Sequence, residues 1–380
     1  MESSPIFDPA AMMQMALRLG KSGQGLCAPN PSVGCVLVQH GKVVGSASTA
    51  PGGRPHAEAL AIQHAHDLHG IDLHGASAFV TLEPCAHHGK TPPCCDHLIQ
   101  AGITDCFVAI TDPDPRVKGK GIARMRQAGI NVSDGVCAKK ARWLHRAHLL
   151  WHHAGRPCFA LKSAISLDGR IAVESGESQW ITSELARQHA HDLRARHDGI
   201  LTGIETVRHD NPQLGCRLLG YPHCNPRPII LDSHLRICDG ASIIKRQPVI
   251  ICATGHGSDR AKALADQGCR ILFCKPGADG RPDPALIAAQ LGTEGFRHIL
   301  IEAGGTVAAS FMRACLIDEW HLYRGAICIG AEGYCAIGAL GTRSLAQASR
   351  FQRASSLELD GTIYEVLKAQ SLLEQPWMNA

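Results

Sequence analysis

Short apolar runs of strand length recur along this 380-residue chain, and most lead into a stretch with helical spacing. SAFVTL, CFVAIT, GILTG, PVIICAT, RILFC and HILIEAG are of this kind. Runs this short, bounded by turn residues and alternating with helices, fit fully buried strands of an α/β layered sheet better than helices or half-exposed hairpins. Pro9 to Leu19 reads as a helix, and VGCVLVQHGKVVGSAS reads as a hairpin turning at His40-Gly41. HAEALAIQHAHDL is helical with Ala57, Leu60, Ala61 and His64 on one face, and the helices in CCDHLIQAG and GIARMRQAG close at Gly102 and Gly129. A polar helix from Lys139 to Trp151 precedes Gly155-Arg156-Pro157, after which the alternation restarts. We therefore expect two domains, at residues 1–151 and 156–380, with a short strand-like pair and a polar tail in the last twenty or so residues.

Composition narrows the function classes. A 45% hydrophobic content supplies two cores, but aromatics are only 4%, so Ala, Leu, Ile and Val must do the packing. The net charge is +4 with Lys and Arg scattered, which suits small anionic substrates and argues against nucleic acid as the main partner. No basic segment followed by an apolar run opens the chain, and no stretch is long enough to span a membrane. The 17 cysteines lie mostly singly, as expected of a protein in a reducing, cytoplasmic compartment, and Cys35, Cys106 and Cys252 read as small hydrophobes. With 22 histidines, metal-like pairs arise by chance, so His counts alone carry little weight.

The stretch from Arg54 to Leu98 is more specific. It places His56-Ala57-Glu58 about thirty residues before Pro84-Cys85, with Cys94 directly after Pro92-Pro93. H-x-E followed by P-C and a further Cys is the nucleobase-deaminase pattern, here with eight residues between the cysteines instead of two. Three ligands, His56, Cys85 and Cys94, leave zinc a position for water, and Glu58 is near enough to move protons without ligating. Lowering a water pKa from about 15.7 toward 7 stabilises the deprotonated form by about 11 kcal/mol. The competing reading is a helix cap with two core cysteines, and Cys95, His87 and His88 are rival ligands. Further on, ILIEAGGTVAASF runs a buried strand through Gly304-Gly305 into a helix opening at Thr306. That arrangement aims backbone amides at an anion, although a plain strand-to-helix turn needs glycines too.

TLEPCAHHGKTPPCCDHLI, APNPSVGCVLV and DPDPRVKGKG resemble the deaminase half of the bifunctional riboflavin-biosynthesis deaminase–reductases. LKSAISLDGRIAVESGESQWIT, ILTGIETVRHDNPQL and IEAGGTVAASF resemble the reductase half, so the resemblance covers nearly the whole chain in order. It implies a cytidine-deaminase-like N-terminal domain and a dihydrofolate-reductase-like C-terminal domain, both α/β. It implies Zn2+ on His56, Cys85 and Cys94, with Glu58 as catalytic proton shuttle. The first reaction would hydrolyse the 2-amino group of 2,5-diamino-6-ribosylamino-4(3H)-pyrimidinone 5′-phosphate, and the second would use NADPH to reduce a ribosyl side chain to ribityl. NADPH would lie against Ala164, Trp180, Thr206, Asp210, Ser233 and the run Gly304, Gly305, Thr306, Val307, Ala308, Ala309, Ser310. The phosphorylated substrate would meet Ser178, Arg194, Leu214, Arg217 and Glu302, with Lys162 near the ribose and Asn30 at the pyrimidine edge. Asn30 is equally a turn-forming residue ahead of Pro31. A homo-oligomer is also implied.

The chain departs from this family after Tyr323, where an Ala-Pro pair and then Leu-Gly are usual and the run Arg324-Gly325-Ala326-Ile327-Cys328-Ile329-Gly330 lacks the Pro but keeps Gly330. It departs also at Asn211 where a second Asp is common, and at Gly215-Cys216 where a Thr often precedes the arginine. Two rivals make different predictions. A nucleic-acid base deaminase needs a basic, aromatic-bearing groove, and a zinc-stapled regulatory protein needs a closed four-ligand site.

Overall fold

The structure, a computed structural model, describes residues 7–87, 92–218, 225–255, 257–277 and 279–379. The chain divides into two compact units, Met1–Ala154 and Gly155–Ala380. No described helix is long and apolar enough to cross a membrane.

In the first unit, helix α1 (Pro9–Ser22) is capped by the Asp8 side chain, which accepts from the Ala10 amide. Strands β1 (Gly34–Gln39) and β2 (Lys42–Ser48) form the expected hairpin, with His40 and Gly41 both at positive φ, as a tight two-residue turn requires. Then follow α2 (Ala57–His69), β3 (Ser77–Val80), α3 (Cys94–Gln100), β4 (Asp105–Val108), α4 (Lys120–Gln127) and β5 (Asn131–Asp134). The sheet order is β2-β1-β3-β4-β5, with β3, β4 and β5 parallel and β1 antiparallel to both neighbours. All four residues of β3 are buried, and Cys35 and Cys106 sit in the same core as Ala61, Leu98 and Met125. The expected helix from Lys139 to Trp151 is two helices, α5 (Ala138–Leu144) and α6 (Arg146–Ala154). They break at His145, whose buried ring bonds the Thr81 hydroxyl at 3.0 Å and so leaves the helix surface pattern.

In the second unit a nine-stranded sheet runs in the order β11-β10-β9-β8-β12-β6-β13-β16-β15. Its strands are β6 (Cys158–Ile165), β8 (Gly199–Gly203), β9 (Arg227–Leu231), β10 (Val249–Cys252), β11 (Arg270–Phe273), β12 (His298–Ile301), β13 (Glu319–Arg324), β15 (Phe351–Leu359) and β16 (Thr362–Ala369). A small ribbon pairs β7 (Arg170–Ala172) with β14 (Tyr334–Cys335). Helices α7 (Glu184–Ala195), α8 (Ile204–Asp210), α9 (Asp259–Asp266), α10 (Pro284–Thr293) and α11 (Gly305–Arg313) complete the layers. Alternation along each strand builds two cores. Ala160, Ile200, Ile250 and Leu300 face one way, while Phe159, Leu161, Leu201, Ile251 and Ile301 face the other. Only the β13–β16–β15 end is antiparallel. The C-terminal pair is longer than the sequence suggested, because β15 is almost wholly exposed and carries no apolar alternation. No disulfide joins the described cysteines, and Cys252, like Cys35 and Cys106, is completely buried.

Candidate active sites

His56 is the residue capping α2, in extended conformation and without a side-chain cap bond, so its ring is free to turn away from the helix. Cys94 opens α3, and its amide donates to Cys85 Sγ at 3.3 Å. His56 Nδ1 lies 3.2 Å from Cys94 Sγ and 3.7 Å from Cys85 Sγ. A tetrahedral ion with bonds of about 2.1 Å to nitrogen and 2.3 Å to sulfur needs N···S separations of about 3.6 Å. The three donors therefore fit zinc, and among the described residues no fourth His, Cys, Asp or Glu joins them. Hydrogen bonding from Cys94, opposed by burial and reinforced by His56, brings the Cys85 thiol down to about 4, the ionisation a metal ligand requires. Burial raises Glu58, which is only 3% exposed and hydrogen-bonds the Cys94 side chain.

The rival ligands do not enter. Cys95 is fully buried in the core beside Ala61 and Leu98, and His87 is outside the converging group. His88 lies outside the described residues. Asn30 donates from its amide to the Gly53 carbonyl at 2.9 Å, tying the 28–30 loop to the segment leading into His56.

One residue of this site escaped the sequence reading. Glu83 is 3% exposed and accepts backbone N–H bonds from Asp112, Gly119, Gly121 and Ile122. It clamps the DPDPRVKGKG segment beside Pro84, where a Cβ on Gly121 would stand 2.1 Å from the Pro84 carbonyl oxygen. The available signal was an acidic residue shortly after a fully buried strand.

In the second unit, Arg194 on α7 forms a fork on Glu302, with Nε 2.7 Å from Oε1 and NH2 2.9 Å from Oε2. Lys162 Nζ is 3.6 Å from the same carboxylate. Burial opposes ionisation of Glu302, but Arg194 and Lys162 together hold it at about 2. Arg194 also donates to the Gly215 carbonyl, and Arg217 is exposed, close enough to His191 to help lower its pKa after burial and Arg194. Leu214 is 6% exposed at positive φ, so its side chain belongs to the core. Ser178 is exposed, and so is Trp180, with the Arg187 guanidinium 4.2 Å above its ring.

A cleft of about 510 Å³ opens at the C-terminal ends of β8, β9 and β12. Thr206, Ser233, Gly304, Thr306, Val307 and Ser310 line it, together with Arg236, Arg281 and Arg313, which the sequence reading did not single out. The run from Gly304 to Ser310 does not line it throughout. Ala308 and Ala309, at 0% and 1% exposure, pack inward because helical periodicity turns them away from the opening. Ala164 and Asp210 are not among its walls, and Asp210 is exposed at the end of α8.

Gly304 and Gly305 differ in why they are glycine. A Cβ on Gly304 meets nothing within 4 Å, while one on Gly305 would stand 2.4 Å from the Cys335 carbonyl oxygen. We expect Gly305→Ala to lower the melting temperature by several degrees, as an overpacked site costs about 1–3 kcal/mol. Gly304→Ala should leave melting within a degree or two, and thermal denaturation checks both.

The departures have local causes. Asn211 ends α8 at positive φ, a conformation Asn tolerates better than most residues, and its side chain accepts from the Ser242 amide. A Cβ at Gly325 would stand 1.9 Å from the Ile181 carbonyl oxygen, so this backbone path admits only glycine. Asp168 accepts from the Ile329 and Gly330 amides and thereby ties down the following turn.

Against known families, the RibD C-terminal domain model matches residues 157–363, and the cytidine and deoxycytidylate deaminase zinc-binding region matches residues 8–110. Riboflavin biosynthesis protein RibD of Escherichia coli K12 is 38% identical over 353 residues, covering 90% of this chain and 94% of its own. The chain belongs to the RibD family. RibD of Aquifex aeolicus is 36% identical over 90% of this chain and 93% of its own. A solved Acinetobacter baumannii RibD superposes with a TM-score of 0.84 at 34% identity, covering 97% of this chain and all of that one. The Thermotoga maritima deaminase/reductase superposes at 0.82 with 29% identity, covering 95% and 98%. The protein is thus a bifunctional deaminase and reductase of riboflavin biosynthesis, with a cytidine-deaminase-like unit and a RibD-type, dihydrofolate-reductase-like unit. It has a His/Cys/Cys zinc centre and, by family, uses NADPH.

Proposed function

We propose that the first unit removes the 2-amino group of 2,5-diamino-6-ribosylamino-4(3H)-pyrimidinone 5′-phosphate. The second then reduces the ribosyl chain of 5-amino-6-(5-phosphoribosylamino)uracil to ribityl. The observation that carries this is the convergence of His56, Cys85 and Cys94 beside the buried, unligated Glu58. Zinc held there supplies Lewis-acid activation of water at neutral pH. Glu58 takes up the proton released by the attacking water and delivers it to the departing amino group, a role its raised affinity for protons suits. Asn30, fixed through its amide to Gly53, keeps its carbonyl oxygen for the pyrimidine edge.

In the second unit NADPH supplies the hydride. Thr206, Ser233 and the amides following Gly304 would receive its phosphates and ribose, and Arg236, Arg281 and Arg313 place positive charge around that anion. Glu302, locked ionised by Arg194 and Lys162, fixes the floor of the substrate site, and Arg217 remains exposed to take the substrate phosphate. Self-association would use the exposed edge strand β15, where Leu357 is 50% exposed.

Arg217→Ala tests the division of labour. It should raise KM of the NADPH-dependent step by about 10-fold or more, as expected when a charge-assisted hydrogen bond worth about 1.5–3 kcal/mol is lost, and leave ammonia release unchanged. Loss of both activities together would contradict the assignment of separate sites.

A further inference from the structure

The parallel strands β12, β6 and β13 put their first residues at one end of the sheet, while Glu302 and the NADPH cleft follow the other end of β12. Those first residues are His298, Cys158 and Glu319, polar groups at positions whose sheet neighbours, such as Ala160, Ile200 and Leu300, form an apolar core. His298 is level with Cys158, and Glu319 is level with Ala160, so all three share one face of the sheet.

Their ligating atoms converge. His298 Nε2 is 3.2 Å and Cys158 Sγ 3.6 Å from Glu319 Oε1, and all three residues are buried. Tetrahedral zinc needs separations of about 3.4 Å between nitrogen and oxygen and about 3.6 Å between sulfur and oxygen. The match is as close as at the His56 centre. Two further imidazoles complete the surroundings. His321, 6% exposed, has its Nε2 3.6 Å from the other Glu319 oxygen, and His197, 2% exposed, packs its ring 4.1 Å from that of His298.

Both rings carry a buried Nε2 without a hydrogen-bond partner among the described residues. In each the opposite nitrogen is engaged. His321 Nδ1 bonds the Tyr364 hydroxyl at 2.7 Å, and His197 Nδ1 donates to the Leu193 carbonyl at 2.7 Å. An imidazole whose Nδ1 carries and donates the proton presents a lone pair at Nε2, which is how metal-ligating histidines are held. An imidazole nitrogen buried this deeply without a hydrogen-bond partner is costly, and a divalent ion beside His321 would offset that cost.

We propose that Cys158, His298 and Glu319, whose ligand atoms all lie within 4.8 Å of one another, form a second metal site in the reductase unit, a structural one with His321 beside it, that takes a tetrahedral divalent ion of the zinc class. Mixed thiolate, imidazole and carboxylate donors select such an ion over magnesium or calcium. The cluster is buried at the end of the sheet away from Glu302 and the cleft, so the ion's role is to hold the starts of β6, β12 and β13 together.

Zinc per chain, measured by mass spectrometry on the purified full-length protein, tests this. The wild type should hold two equivalents and Cys85→Ser/Cys94→Ser one. Adding Cys158→Ser and His298→Ala should bring the content to zero. A wild type with a single equivalent, lost in Cys85→Ser/Cys94→Ser, would overturn the proposal while leaving the deaminase centre intact. Cobalt gives a readout that does not disturb the proposed ligands. Cys85→Ser/Cys94→Ser loaded with Co2+ should show one near-ultraviolet thiolate-to-cobalt band, and Cys158→Ser in that background should abolish it. Absence of the band in the first variant, or its persistence in the second, would equally contradict the site.

Discussion

Glu58→Gln should keep its full zinc content and lose ammonia release by about 10²- to 10⁴-fold, the span that a positioned proton-transfer group contributes. Glutamine preserves shape and hydrogen bonding to Cys94 but can neither take nor give the proton. Glu58 sits in the first turn of α2, two residues after His56, so the same helix start that aims the imidazole also aims the carboxylate. Its burial keeps bulk water from substituting for it. The variant should still oxidise NADPH when given the deaminated intermediate. Parallel assays of zinc, ammonia and NADPH on one preparation check all three, and persistent ammonia release would assign the proton transfer elsewhere.

Arg194→Met should destabilise the second unit by about 3–5 kcal/mol, because it leaves a buried carboxylate without its fork. The carboxylate concerned, Glu302, is held near 2 against the opposing effect of burial, and Lys162 alone offers only a 3.6 Å contact. Pairing Arg194→Met with Glu302→Gln should recover a large part of the loss, since the uncompensated charge is then gone. Both variants should be impaired in NADPH oxidation, and ammonia release should survive at temperatures where the second unit stays folded. Chemical denaturation read from the tryptophans, with the double-variant comparison, measures the effect. Equal stability of the single variant and the wild type would remove Glu302 as the anchored floor of that site.

The zinc site was legible because its parts are local. His56 and Glu58 share one helix start, and each cysteine follows a proline at a junction between elements, so spacing alone brought them near one another. The substrate and cofactor residues of the second unit were legible only through family resemblance. Thr206, Ser233 and Gly304 follow three different strands, and sheet order, which periodicity does not encode, brings them to one cleft. Helical phase then corrected the detail, turning Ala308 and Ala309 inward. Glu83 and the Cys158–His298–Glu319 cluster were hidden for a common reason. Each stands at the edge of an apolar run, where a polar residue reads as the boundary of a strand. The β15–β16 hairpin was underestimated because β15 buries almost nothing and so shows no alternation.

Deamination here depends on a three-ligand metal centre beside an unbound carboxylate. Anomalous diffraction at the zinc edge from crystals of the wild-type protein tests it most directly. It should place an ion bonded to His56 Nδ1, Cys85 Sγ and Cys94 Sγ, with solvent in the fourth position and the Glu58 carboxylate outside bonding distance. An ion ligated by Glu58, or none between those three side chains, would contradict it.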